Sequence, residues 1–119
     1  MRDFSLDLLL ELNGTEYTEE NGYWYKIEAW KVEPTKVRPH GIRYNLTFHN
    51  NYGKRIMGFD NAHAVKNNKK GYQGRIIEYD HTHDSPIDKG TVYEFINAEQ
   101  LLKDFLDRVN KIITELKDR

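Results

Sequence analysis

Arg43-Tyr-Asn-Leu-Thr-Phe-His49, Asn50-Asn-Tyr-Gly53 and Lys54-Arg-Ile-Met-Gly-Phe59 are the segments whose reading decides the fold. In the first, Tyr44, Leu46 and Phe48 alternate with Arg43, Asn45, Thr47 and His49. A period of two gives a strand one apolar and one polar face. Asn50 to Gly53 supplies turn residues and Lys54 to Phe59 returns, so the stretch reads as an antiparallel hairpin.

Working backward, Tyr23 to Val32 (YWYKIEAWKV) continues the pattern. Tyr23, Tyr25, Ile27 and Ala29 share one face, and Trp24, Lys26, Glu28 and Trp30 the other. Pro34 and Pro39 each lack a backbone donor and bias the residue before them away from helix, which makes 33–41 a connecting loop. Glu19-Glu20-Asn21-Gly22 offers a turn, and Asn13-Gly14 can take the positive φ of another. From Phe4 to Leu12 apolar residues stand at 4, 6, 8, 10 and 12, which predicts a first, half-buried strand.

Working forward, Asn61 to Gly74 has no apolar period and reads as a long loop. Arg75 to Tyr79 is a short strand, Asp80 to Gly90 is polar and turn-rich, and Thr91 to Ile96 closes the sheet. Asn97 is a natural N-cap, Gln100 stands in the capping-box position and Glu99 complements the helix dipole. Behind them Leu101, Leu102, Phe105, Leu106, Val109, Ile112, Ile113 and Leu116 recur at spacings of three and four. The predicted fold is α+β: a single domain over 1–119, with an antiparallel β-sheet of about five to six strands within 4–96. One C-terminal amphipathic helix, 98–117, packs on it.

The absence of cysteine excludes disulfides, thiolate metal sites and a cysteine nucleophile, so the cytoplasm is the default location. Leu8-Leu9-Leu10 is far short of a membrane span, and Met1-Arg2-Asp3 lacks the basic-then-apolar order of a signal peptide. The expectation is a chain neither secreted nor membrane-inserted. An aromatic content of 13% with 38% hydrophobic residues argues against disorder, because aromatics bury large areas. The net charge of -1 hides a division: residues 1–30 carry -5, residues 31–75 carry +8 and residues 76–119 carry -4. The basic middle is either a local cationic surface or a set of lysines and arginines that guard loops and strand edges.

Asp80-His81-Thr82-His83-Asp84 is the densest chemical feature. In an extended segment, residues two apart point to one side, so His81 and His83 could converge on one phosphate, one proton or one metal ion. A metal would need a third ligand from Asp80, Asp84 or His63. Phosphodiester cleavage would need the two imidazoles as general acid and base, with Lys66, Arg75 or another cation stabilising the developing charge. The plainer alternative makes the histidines loop residues and the flanking aspartates turn caps. Asp60 and Asn61, at the end of the Lys54–Phe59 strand, read as turn formers through hydrogen bonds to their own backbone. Trp24, Trp30 and the tyrosines, interleaved with Lys26 and Arg43, suit either base stacking or the core.

Gly58-Phe59-Asp60-Asn61-Ala62, Asp80-His81-Thr82-His83, Tyr93-Glu94-Phe95 and Ala98-Glu99-Gln100-Leu101-Leu102-Lys103-Asp104-Phe105 with Val109 occur in the order found in the TumE family of toxins from toxin-antitoxin modules. The second half of the chain resembles that family. The first half agrees in style, as hairpins with an aromatic second strand. The resemblance implies a helix-turn-helix antitoxin as partner and a toxic activity, with RNA cleavage the activity expected by analogy with other small toxins. It points to Asp60, Asn61, Asp80, His81 and His83. The expected catalytic set is His81, His83, Asp80, Asp60 and His63, and the expected phosphate-binding or RNA-binding set is Lys66, Arg75, Arg43 and Asn61. No metal or other cofactor is assigned. The oligomeric state is open, a homodimer included. The rival reading is a non-enzymatic module that grips a protein or nucleic acid with the same surface.

Overall fold

The computed structural model describes residues 4–34, 41–61, 73–78, 91–94 and 96–117. Helix α1 (Phe4–Glu11) leads into strands β1 (Thr15–Thr18), β2 (Trp24–Lys31), β3 (Ile42–His49), β4 (Arg55–Asp60), β5 (Gln73–Glu78) and β6 (Thr91–Glu94), and helix α2 (Ala98–Lys117) follows. The six strands form one sheet in the order β1-β2-β3-β4-β5-β6. Every pairing is antiparallel, so each strand lies beside its chain neighbour.

The hairpin over 43–59 forms as its alternation predicts. Asn50 Oδ1 accepts the amides of Tyr52 and Lys54, each at 2.9 Å, and Gly53 takes φ 83°. A bulge between Phe48 and His49 shifts the register beside the turn. Strand β1 lies between the two predicted turns, Asn13-Gly14 and Glu19 to Gly22, where the sequence pattern shows no strand. It is short, and Tyr17 is its one large side chain, stacked on Tyr25 with centroids 5.5 Å apart.

The predicted strand over 4–12 is a correction: Phe4–Glu11 is helical. Leu9 is fully buried, Leu6 and Leu10 pack against the core, and Leu8 is 48% exposed. That distribution follows the spacing of three and four, not the spacing of two. The segment holds five leucines between Leu6 and Leu12 and no β-branched residue, a composition that favours helix over strand. Gly14 at φ 87° ends it, and its amide donates to the Ile27 carbonyl at 2.8 Å. α1 packs on α2 and β2. The observed sheet therefore begins at Thr15.

Opposite residues in the register share a face, so Ile27, Ala29, Tyr44, Leu46, Phe48, Met57, Phe59 and Tyr93 point to the side that α2 covers. From α2 come Leu101, Phe105 and Val109, all buried. Phe105 meets Tyr25 and Phe59 edge-on at 5.8 and 5.6 Å, an arrangement favoured by the ring quadrupoles. Burying these side chains contributes roughly 1.5–3 kcal/mol each. Asn97 caps α2 as predicted, accepting the Gln100 amide at 2.8 Å. The reciprocal half of the capping box is not made by the Gln100 side chain, which turns to Asp104 instead at 2.7 Å.

Candidate functional site

With α1 and α2 on one side, the polar positions of the strands line the other. β2 places Trp24, Lys26, Glu28 and Trp30 there, β3 places Arg43, Asn45, Thr47 and His49, and β4 and β5 add Asp60 and Arg75. Cross-strand pairing sets them in rows. Trp24 lies opposite His49, which lies opposite Arg55; Glu28, Asn45, Asp60 and Arg75 form a second row; Trp30 lies opposite Arg43.

Arg75 and Asp60, separately expected as a phosphate ligand and a catalytic carboxylate, are one ion pair. Arg75 Nε donates to Oδ1 at 3.2 Å and to Oδ2 at 3.3 Å, with both side chains largely buried. Among the described residues no hydrogen bond is made by its Nη groups. The guanidinium is thus held through Nε on the Asp60 carboxylate, an orientation that a lysine could not take.

Asn61 does something else. Its Nδ2 donates to the Ile42 carbonyl at 2.9 Å, its Oδ1 accepts the Tyr44 amide at 2.9 Å, and it is 2% exposed. Those bonds reach residues 17 and 19 positions away, so the expected local turn bond is corrected to a long-range clamp on the start of β3. Both side-chain polar atoms are thereby engaged. His63, Lys66, Asp80, His81 and His83 lie outside the described residues, as does the metal reading of the histidine pair. Among the described residues no group of three His, Asp or Glu is placed to hold a metal ion.

His49 lies on this face but outside the expected site. Its ring stacks on Trp24 at 4.0 Å with an 8° interplanar angle. Nδ1 lies 3.4 Å from the Gly53 carbonyl, which can only accept, so in the neutral ring the proton sits on Nδ1. Nε2 is then the acceptor for the Thr47 hydroxyl at 2.9 Å. Burial pushes the imidazole below its ordinary range; the Gly53 bond opposes this, and the Arg55 and Lys26 charges add to it. The alternation of Arg43, Asn45, Thr47 and His49 carried the signal for this face, but which β2 residue each would meet depended on register. At the other end of the hairpin the Arg43 guanidinium lies 5.5 Å from the Trp30 ring centre, a cation–π contact.

The toxin TumE family matches residues 9–113 of the chain. The chain belongs to the TumE toxin family. Membership makes it a toxin of a toxin-antitoxin system and implies an antitoxin partner. No match is found among curated proteins or solved structures. Several of the residues that carried the TumE resemblance prove to be scaffold. Tyr93 donates to Asp104 at 2.6 Å, tying β6 to α2, while Phe59 packs on Tyr93 at 5.1 Å and on Phe105. Burial and then the Asp104 carboxylate push the Tyr93 hydroxyl well above the usual phenol range, so it stays a donor. Among the described residues no helix is long and apolar enough to cross a membrane.

Proposed function

We propose that this toxin acts on RNA in the cytoplasm as a ribonuclease and that a helix-turn-helix antitoxin neutralises it. In this reading one imidazole of the His81 and His83 pair takes the proton of a ribose 2′-hydroxyl as its oxygen bonds to the adjacent phosphorus. The other protonates the leaving 5′-oxygen as the P–O bond breaks. Asp80 and His63 orient that pair. Arg75, with Asp60 behind it and with Lys66 and Arg43, holds phosphate and offsets the charge that develops on it. The observation that carries the reading is the Arg75 guanidinium, anchored through Nε with no Nη hydrogen bond among the described residues.

Inducible expression with and without the neighbouring gene tests the module, and the integrity of total RNA after induction tests the activity. Growth arrest with RNA cleavage, relieved by His81→Ala or Arg75→Ala in folded protein, is the expected result. Full toxicity in a folded variant lacking both histidines would end the ribonuclease reading.

A further inference from the structure

The two tryptophans of the chain sit on the same face of the sheet, six residues apart on β2, Trp24 half-buried and Trp30 exposed. That spacing is about 20 Å at roughly 3.3 Å per residue. Each indole has a basic nitrogenous group as its direct partner on β3: the His49 imidazole stacks on Trp24, and the Arg43 guanidinium covers Trp30. On the opposite flank the neighbours among the described residues are small or absent. Trp24 lies beside Thr18, and Trp30 lies beyond the end of β1, whose last pair with β2 is Thr15 with Ile27. Trp30 is 38% exposed although it is a large apolar side chain. Between the two indoles the face is polar, with Lys26 opposite Thr47 and Glu28 opposite Asn45, and the row continues to Asp60 and Arg75.

We propose that this face is a binding platform for single-stranded RNA, with one base stacked against Trp24, another against Trp30, and the backbone between them running over Lys26 toward Arg75. The substrate class follows from the geometry. A base paired in a duplex shows its edges to a protein, whereas an indole on a sheet needs the flat of a base, which only an unpaired strand presents. The His49 imidazole and the Arg43 guanidinium extend the stacking surfaces of Trp24 and Trp30, and Lys26, 4.0 Å from Glu28, and the Arg75 guanidinium suit phosphate. This rests on RNA as the toxin's target and adds the strandedness of that target and the residues that hold it.

Both tryptophans report on this face alone, so intrinsic fluorescence reads the platform directly. A ten-nucleotide 2′-O-methyl RNA, which cannot be cleaved through its 2′-oxygen, is titrated into the purified protein alone and then annealed to its complement. The single strand is expected to quench the emission and to bind at least tenfold more tightly than the duplex. Trp30→Ala should weaken it about tenfold. Trp30→Phe and Trp24→Phe, which keep an aromatic face, should lose less, and Tyr52→Ala, at the β3–β4 turn, should lose nothing. Equal binding of single strand and duplex overturns the proposal, as does binding that leaves the emission and the Trp30→Ala affinity unchanged. Quenching by single strands without RNA cleavage in cells would sink the ribonuclease reading and leave the platform standing; cleavage without quenching would do the reverse.

Discussion

Arg75 meets Asp60 through Nε, at 3.2 and 3.3 Å from the two carboxylate oxygens, across the β4–β5 pairing. A lysine at 75 would keep the charge but would have neither a separate anchoring nitrogen nor a fork. Arg75→Lys is therefore expected to cost no more than about 3 kcal/mol in urea unfolding, the upper range for a hydrogen bond to a charged group. It should nonetheless relieve growth inhibition. Undiminished toxicity in that variant would show that charge alone suffices.

His49 should make stability depend on pH. Its folded pKa lies below the ordinary 6.5, so the unfolded chain takes up the proton first as pH falls. The stabilisation is whole above pH 6.5 and is lost as pH falls through the lowered folded pKa. In Trp30→Phe, emission from Trp24 should change over the same acidic window as the stacked ring charges. His49→Gln should flatten both curves, and an unchanged stability profile in it would remove His49 as the cause.

Gly74 admits no side chain. A Cβ there would fall on the Tyr44 hydroxyl and 2.6 Å from the Asp60 carbonyl oxygen. Alanine in place of a strand glycine would otherwise gain up to about 1 kcal/mol, but overpacking of this kind costs about 1–3 kcal/mol. The clash decides the sign, so Gly74→Ala should lower Tm. A raised Tm would mean that β5 can shift away from β3.

Asn61→Leu should be among the most damaging single changes. It removes the bond from the Tyr44 amide and the bond to the Ile42 carbonyl in a buried setting, at about 0.5–1.5 kcal/mol for each. Hydrogen exchange at the Tyr44 amide should accelerate in the variant. Protection equal to that of the wild type would assign the clamp a lesser role.

Tyr93→Phe removes the donor that joins β6 to the Asp104 carboxylate. A hydrogen bond to a charged group contributes about 1.5–3 kcal/mol. Thermal unfolding should shift by an amount in that range, and Asp104→Asn should reproduce part of it. If neither moved, the link between sheet edge and helix would be ornamental.

Much of this was written in short-range pattern. The 43–59 hairpin and α2 announce themselves because alternation, turn residues and a capped apolar stripe agree over each stretch. Residues 4–12 misled because a leucine-rich segment satisfies both periods at once; which one wins depends on Leu9 finding a core between α2 and β2. At the site, the polar face was legible from alternation, but the partners on it were not. Trp24 meets His49, and Asp60 meets Arg75, only because of the registers that link three hairpins. The clamp role of Asn61 was hidden for the same reason, since its partners are distant in the chain.

The meander order gives the toxin a particular schedule of synthesis. Because each strand pairs with the one just before it, the growing chain can assemble its sheet hairpin by hairpin as it leaves the ribosome. Phe105 and Val109, which cover the apolar face, come after all six strands. A reading frame cut short before residue 98 would release a bare, sticky sheet, a product for proteases rather than a weakened poison.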